Sequence, residues 1–272
     1  MTELQKTEFE LLKLFVGICE KHKLKYYLVC GSALGAEKYG GFIPWDDDID
    51  VALPRPDYEK FLSLAQGDLP ENVFLQNIHT ESAVPFAFSK LRDSSTSFFE
   101  KTVAAIPINH GVYIDVFPLD GYPKSKFKAF LFEMKKKLLT IRINCVFDVS
   151  RIGIMRIVCS IERCFGMNKR TEKSVLALDR LYKKYSLADS EKWCNFSNWQ
   201  GKLEYANCNQ YGDGKKSCFE GLNVIIPSRI DEYLSQKYGD WRSDLPEEEK
   251  TGHHYYTVLD LSKPYTNYFT EV

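Results

Sequence analysis

The chain has 272 residues, 44% of them hydrophobic, and a formal net charge of −1; that length can bury a full core as one large domain or a domain with a smaller subdomain. The near balance of charge points to no nucleic-acid polymer and names no other partner. With a polar, acidic start over residues 1–8, no uncharged apolar run long enough to span a bilayer and no Cys-x-x-Cys pair among eight cysteines, a soluble cytoplasmic chain with reduced thiols is expected.

Residues 2–22 read as an amphipathic helix, with Leu11, Leu12, Phe15, Ile18 and Cys19 in one stripe. An apolar run over 26–30 follows and ends in Gly31-Ser32. Gly31 lets the backbone approach a ligand closely, and Ser32 offers a hydroxyl and an amide at the start of a helical turn over 33–36. The stretch 41–53 is the most informative: Asp46, Asp47, Asp48 and Asp50 sit between Trp45 and the apolar Ile49, Val51 and Leu53. On a strand, Asp48, Asp50 and Ala52 share one face and Ile49, Val51 and Leu53 the other. Two carboxylates side by side at the edge of a core repel each other, and a hard divalent cation, Mg²⁺ or Mn²⁺, is the usual remedy. Asp46 lies just outside this alternation and fits a second ion or an outer position.

Residues 54–57 end that strand and open a helix with Tyr58, Phe61, Leu62 and Ala65 inward. Short strands are predicted at 73–78, 86–91 and 97–100. Lys90 and Arg92 alternate in the second of these, as surface charge or as a cation for a diphosphate. In the strand over 112–117, Asp115 stands among apolar residues; it must be paired or metal-bound, or serve as a general base. Asp120, before Gly121, reads as a turn residue.

From Lys124 the character changes. Residues 124–173 carry 13 Lys or Arg against 4 Asp or Glu, a net of +9. Phe127, Phe130, Leu131, Met134, Leu138 and Ile141 recur there at helical spacing, and residues 152–161 form a second apolar stretch. Such a helix reads as membrane-surface or polyanion-binding, or as a helical subdomain with a solvated basic face. Another helix is predicted at 171–187, a hairpin within 193–226, and a helix after Pro227 with Ile230, Tyr233 and Leu234 inward, stopped by Gly239. Cys194, Cys208 and Cys218 could hold zinc, though buried apolar thiols are the commoner outcome. His253-His254 reads as an exposed loop pair. The division expected is 1–123, 124–190 and 191–272.

The blocks 31–36, 41–51 and 114–120, in the order strand, Gly-Ser turn, helix and Asp-x-Asp strand, resemble the LicD family of phosphocholine transferases, related to the fukutin-type ribitol-phosphate transferases. The resemblance is dense from about residue 26 to 121 and returns faintly at 224–227 and 238–241. It implies an α+β fold, a nucleotidyltransferase-like mixed sheet flanked by helices with a mainly helical basic insertion. It implies Asp48, Asp50 and Asp115 as catalytic and metal-holding residues, with Asp46 beside them. Gly31 and Ser32 would contact the donor's phosphates, Lys90 and Lys38 would neutralise them, and Trp45 would stack on a base or a choline head group or simply pack. Where the family pattern has an Arg-His pair before the 41–44 stretch, this chain has Lys38-Tyr39. The implied reaction moves phosphocholine from CDP-choline, or a similar CDP-activated donor, to a hydroxyl of a glycan or lipid-linked glycan, in the cytoplasm and at the inner membrane face. The same carboxylates would equally serve transfer of a nucleotide to a small molecule or protein, or a non-catalytic nucleotide- or metal-binding module.

Overall fold

A computed structural model describes residues 1–144, 167–198, 200–252 and 255–269. Helix α1 (Glu3–His22) opens on a capping box, in which Thr2 Oγ1 accepts from Gln5 N and Gln5 Oε1 accepts from Thr2 N. The Leu11, Leu12, Phe15, Ile18 and Cys19 stripe is buried as its spacing predicts. Strand β1 (Tyr27–Leu28) leads into α2 (Cys30–Lys38), and β2 (Asp50–Pro54) into α3 (Arg55–Leu64). Strands β3 (Val73–Gln76), β4 (Ser89–Asp93), β5 (Ser97–Glu100) and β6 (Val112–Gly121) follow.

The α+β expectation holds. The main sheet runs β1-β2-β6-β4-β3 and is mixed: β2 pairs parallel with β6, and β4 pairs antiparallel with it. All ten residues of β6 are buried, as a central strand covered on both faces requires. Beyond it lie α4 (Lys126–Asn144), α5 (Met167–Tyr182), β7 (Lys192–Cys194), β8 (Tyr205–Asn207), α6 (Cys208–Tyr211), the hairpin β9 (Lys215–Phe219) and β10 (Leu222–Ile226), α7 (Ile230–Tyr238) and β11 (Tyr256–Asp260). β7 extends the sheet by pairing with the end of β6, and β11 pairs with β5. The main core joins Phe15, Leu28, Val51 and Ile114 to Tyr211, Phe219, Val224 and Leu234, so the C-terminal segment shares the core of the catalytic-type sheet. A second cluster gathers Phe132 and Ile143 of α4 with Val175, Leu178 and Tyr182 of α5 and with Cys194, Phe196 and Tyr205.

Several expectations change. Strand β2 begins at Asp50, so Asp48 precedes it in an extended loop; the pairing runs out where Ile49 O accepts from Asp115 N at 2.8 Å. β4 starts at Ser89 rather than 86, and Lys90 and Arg92 are buried instead of being surface charge. Asp120 is a strand residue, 1% exposed, not a turn residue. It receives a forked pair of bonds from Arg55, Nε to Oδ1 at 2.8 Å and Nη2 to Oδ2 at 2.5 Å, because α3 starts at the far end of the neighbouring strand. The same guanidinium reaches Asp179 of α5 at 3.3 Å. On α4, the Phe127, Phe130, Leu131, Met134 and Leu138 stripe faces outward, and Phe132 and Ile143 pack inward. Cys194 is buried, Cys208 half-buried and Cys218 exposed, and among the described residues no three His, Cys, Asp or Glu side chains converge to hold a metal, so the zinc reading fails. The 152–161 stretch and His253-His254 lie outside the described residues.

Removing one partner of a buried charge pair leaves the other uncompensated, at a cost of about 3–5 kcal/mol. Arg55→Met is expected to destabilise the protein on that scale, read as a lower urea midpoint, whereas Arg55→Met with Asp120→Leu recovers part of the loss.

Candidate active site

The site grows from three neighbouring strands. Asp50 of β2 is in register with Asp115 of β6, and Asp115 with Lys90 of β4, so the three side chains form a row across the sheet. Lys90 Nζ stands 3.1 Å from Asp115 Oδ1 and 3.4 Å from Glu100 Oε2 on β5. Its ammonium also lies 3.3 Å from the centroid of the Tyr113 ring, whose hydroxyl donates to Glu100 Oε1 at 2.8 Å. Arg92 is fully buried and bonds Gln76 Oε1, Gly111 O and Glu100. Lys90 is therefore a cation for the protein's own carboxylates, where the sequence expectation aimed it at a diphosphate.

Burial pushes the Asp50 carboxyl well above the usual carboxylate range; the charges of Asp48 and then Asp115 push it the same way, and Lys237 works against them. The hydroxyl of Ser32 accepts from Asp50 N at 2.8 Å. Ser32 thus fixes the first residue of β2; its hydroxyl accepts in this bond, so its proton, like the first-turn amides of α2, can still meet an anion. Gly31 has a packing reason: a Cβ there would stand 2.7 Å from Asp46 Oδ2. Gly35 is similar, since its Cβ would meet Gly41 O at 2.4 Å where the carboxylate loop crosses α2. The loop is held further by Gln5 Nε2 donating to Asp46 O at 2.8 Å and by Glu220 Oε1, which accepts from Phe42 N at 3.1 Å. Trp45 is half-buried, beside the Tyr39 ring, with the Lys250 ammonium 5.3 Å over it. Lys38 Nζ donates to Trp241 O and Ser243 O and pairs with Asp244, so it ties down the C-terminal segment.

The donor set Asp46, Asp48, Asp50 and Asp115 is all carboxylate oxygen, which suits Mg²⁺ or Mn²⁺. Such an ion would offset the charges of Asp48 and Asp115 which, after burial, push the Asp50 carboxyl up. Among the described residues no three of these side chains converge to hold a metal, and Lys90 Nζ lies beside Asp115.

Sequence reasoning missed the site's floor. Glu204 and Lys237 are both buried and form an ion pair, Lys237 Nζ donating to Glu204 Oε1. Burial opposes the Lys237 charge, yet Cys30, Tyr238 and Glu204 hold its ammonium well above the usual lysine range. Cys30 Sγ reaches Glu204 Oε1 at 3.6 Å and accepts from Asn198 Nδ2 at 3.3 Å. Its backbone N donates to the Tyr233 hydroxyl at 3.1 Å. These contacts hold Cys30 at φ 55°, a left-handed conformation that costs a β-carbon-bearing residue about 1–3 kcal/mol. A sequence signal existed only in the faint resemblance at 238–241.

A sequence profile for the nucleotidyltransferase domain of LicD, FKTN and FKRP matches residues 23–157. The lipopolysaccharide cholinephosphotransferase LicD of Haemophilus influenzae is 25% identical over 269 residues, covering 93% of this chain and 96% of that protein. The mouse and human ribitol 5-phosphate transferases FKRP are 27% and 28% identical over 116 residues, covering 43% of this chain and 20% of each of theirs. The row of Asp50, Asp115 and Lys90 lies inside the profile's segment, 23–157, and Glu204 and Lys237 lie beyond it.

Lys237→Met strands Glu204 as a buried, unpaired carboxylate and is expected to lower unfolding free energy by about 3–5 kcal/mol. Equilibrium urea unfolding checks this, and an unchanged midpoint would refute the pairing.

Proposed function

From the membership of this chain in the LicD family, we propose that it is a phosphotransferase that moves phosphocholine from CDP-choline to a hydroxyl of a cell-surface glycan precursor and releases CMP. The observation that carries this reading is the row of Asp50, Asp115 and Lys90 across the sheet, with Asp48 just before β2 and the charges of Asp48 and Asp115 both acting on the buried Asp50 carboxyl. The relatives' names support the chemistry: one is a cholinephosphotransferase acting on lipopolysaccharide, the others transfer ribitol 5-phosphate.

In this reading Asp48 and Asp50 hold Mg²⁺ or Mn²⁺, with Asp46 behind them. When bound, the ion neutralises the diphosphate and polarises the phosphoryl oxygen. The chain's own groups do the positioning. The first-turn amides of α2, at Gly31 and Ser32, meet a phosphate oxygen. Ser32 Oγ keeps Asp50 at the strand's edge. Asp115, 3.1 Å from the Lys90 ammonium, takes the proton of the acceptor hydroxyl as it attacks phosphorus in line with the leaving CMP. Trp45, whose ring already faces the Lys250 ammonium, offers an aromatic surface to the choline cation. This reading places the reaction in the cytoplasm.

The native chain should release CMP from CDP-choline in the presence of Mg²⁺ or Mn²⁺ and a glycan acceptor, and chelation should stop it. Asp48→Asn should lower the rate by about 100-fold or more, the scale on which transition-state charge stabilisation is lost. Mass spectrometry of the acceptor should show added phosphocholine. An added nucleotide would replace this reading with nucleotidyl transfer, and CDP-choline binding without turnover would replace it with a binding module.

A further inference from the structure

Helix α4 carries two apolar faces. Phe132 and Ile143, with Leu139 partly buried, pack against α5 and the Phe196–Tyr205 segment. The opposite face bears Phe127, Phe130, Leu131, Met134 and Leu138, which are 70%, 61%, 45%, 46% and 60% exposed. At 100° per residue these five, with Ile141, fall within one stripe about 100° wide. Lys126 and Lys137 border the stripe on one side and Lys128, Lys135 and Arg142 on the other, and all five are exposed. The helix has one acid, Glu133, which turns inward to Lys136 and the Tyr205 hydroxyl. An outward apolar stripe with cations along both edges and no exposed acid is the pattern of a helix lying in a lipid interface.

We propose that the outer face of α4 docks this protein on an anionic bilayer surface. Phe127, Phe130, Leu131, Met134 and Leu138 enter the boundary between head groups and acyl chains, and the five flanking cations meet the lipid phosphates. Charge complementarity selects this occupant. A second copy of the chain would set the two cationic borders against each other, and the core of a protein partner's interface is depleted in lysine. Docking places the helix flat on the membrane, with the stripe's whole length of about four turns, from Phe127 to Ile141, in contact. The inference stands on the surface alone and does not require the transferase reading.

Flotation of the native chain with phosphatidylcholine vesicles doped with phosphatidylglycerol tests it. Binding is expected to such vesicles and to fall about tenfold or more on pure phosphatidylcholine. Phe127→Asn with Phe130→Asn, and separately Lys126→Gln, Lys128→Gln, Lys135→Gln and Lys137→Gln together, should each weaken binding by about tenfold or more. Both variants alter exposed side chains, so circular dichroism and the urea midpoint should match the native chain. Native binding that ignores phosphatidylglycerol, or variants that bind as the native chain does, would overturn the proposal. So would a dimer in light scattering, lost in the Phe variant, without vesicle binding.

Discussion

The structure depends on how carboxylates are kept on the face of a buried sheet. An ionised acid inside a protein survives only with a counter-charge or hydrogen bonds at hand. β6 carries two, Asp115 and Asp120, and each receives its cation from a different element. Asp120 takes the forked guanidinium of Arg55 from the start of α3, and Asp115 takes the ammonium of Lys90 from β4. Asp50, one strand over, takes neither. Its burial, and then the charges of Asp48 and Asp115, push its carboxyl well above the usual carboxylate range, with Lys237 acting against them. The pair at Asp120 ties α3, β6 and α5 together.

The C-terminal segment does more than cover the sheet. Glu220 grips the backbone at Phe42, the ammonium of Lys38 holds the carbonyls of Trp241 and Ser243, and Tyr233 holds the amide of Cys30. These contacts converge on the two ends of α2 and on the carboxylate loop, the parts that must stay fixed for Asp48 and Asp50 to keep their spacing. The left-handed Cys30 makes the point energetically. Its unfavourable backbone persists because Tyr233, Asn198 and Glu204 constrain it from a distant part of the chain, so the start of α2 is set by residues far outside the segment that carries the family pattern.

Local periodicity made much of this visible in advance. The alternation from Asp50 to Leu53, the stripe of α1, the inward Ile230, Tyr233 and Leu234 of α7 and the β9–β10 hairpin are each written in spacings of two or near four. What periodicity cannot carry is the identity of a partner. Lys90 and Arg92 sit on the predicted strand, but their burial follows from Glu100 eight to ten residues on. Asp120 looked like a turn because the residue that makes it tolerable in a strand, Arg55, is 65 positions away. Asp48 reads as strand by its neighbours, yet the ladder stops at Ile49. Glu204 and Lys237 lie in stretches without motif character, and only the fold brings them under Cys30.

On helix α4 the sequence left a membrane-surface or polyanion-binding face and a helical subdomain with a solvated basic face as alternatives. A single apolar stripe in a sequence is ordinarily assigned to the core, and Phe127, Phe130, Leu131, Met134 and Leu138 have the spacing for it. The helix nevertheless buries Phe132, Leu139 and Ile143, which lie on its other side. A helix apolar on two opposite faces has little net amphipathicity, so the pattern hides from any measure that seeks one preferred direction. The charges separate the faces. Lysines line both edges of the outer stripe, and the one acid turns inward to a lysine and a tyrosine hydroxyl. Leaving five large apolar side chains in water is unfavourable by the hydrophobic effect alone, and a patch of that size on a soluble surface marks a contact. The cationic borders restrict that contact to something apolar within and negative at its rim, which a phospholipid surface is along the whole length of the helix.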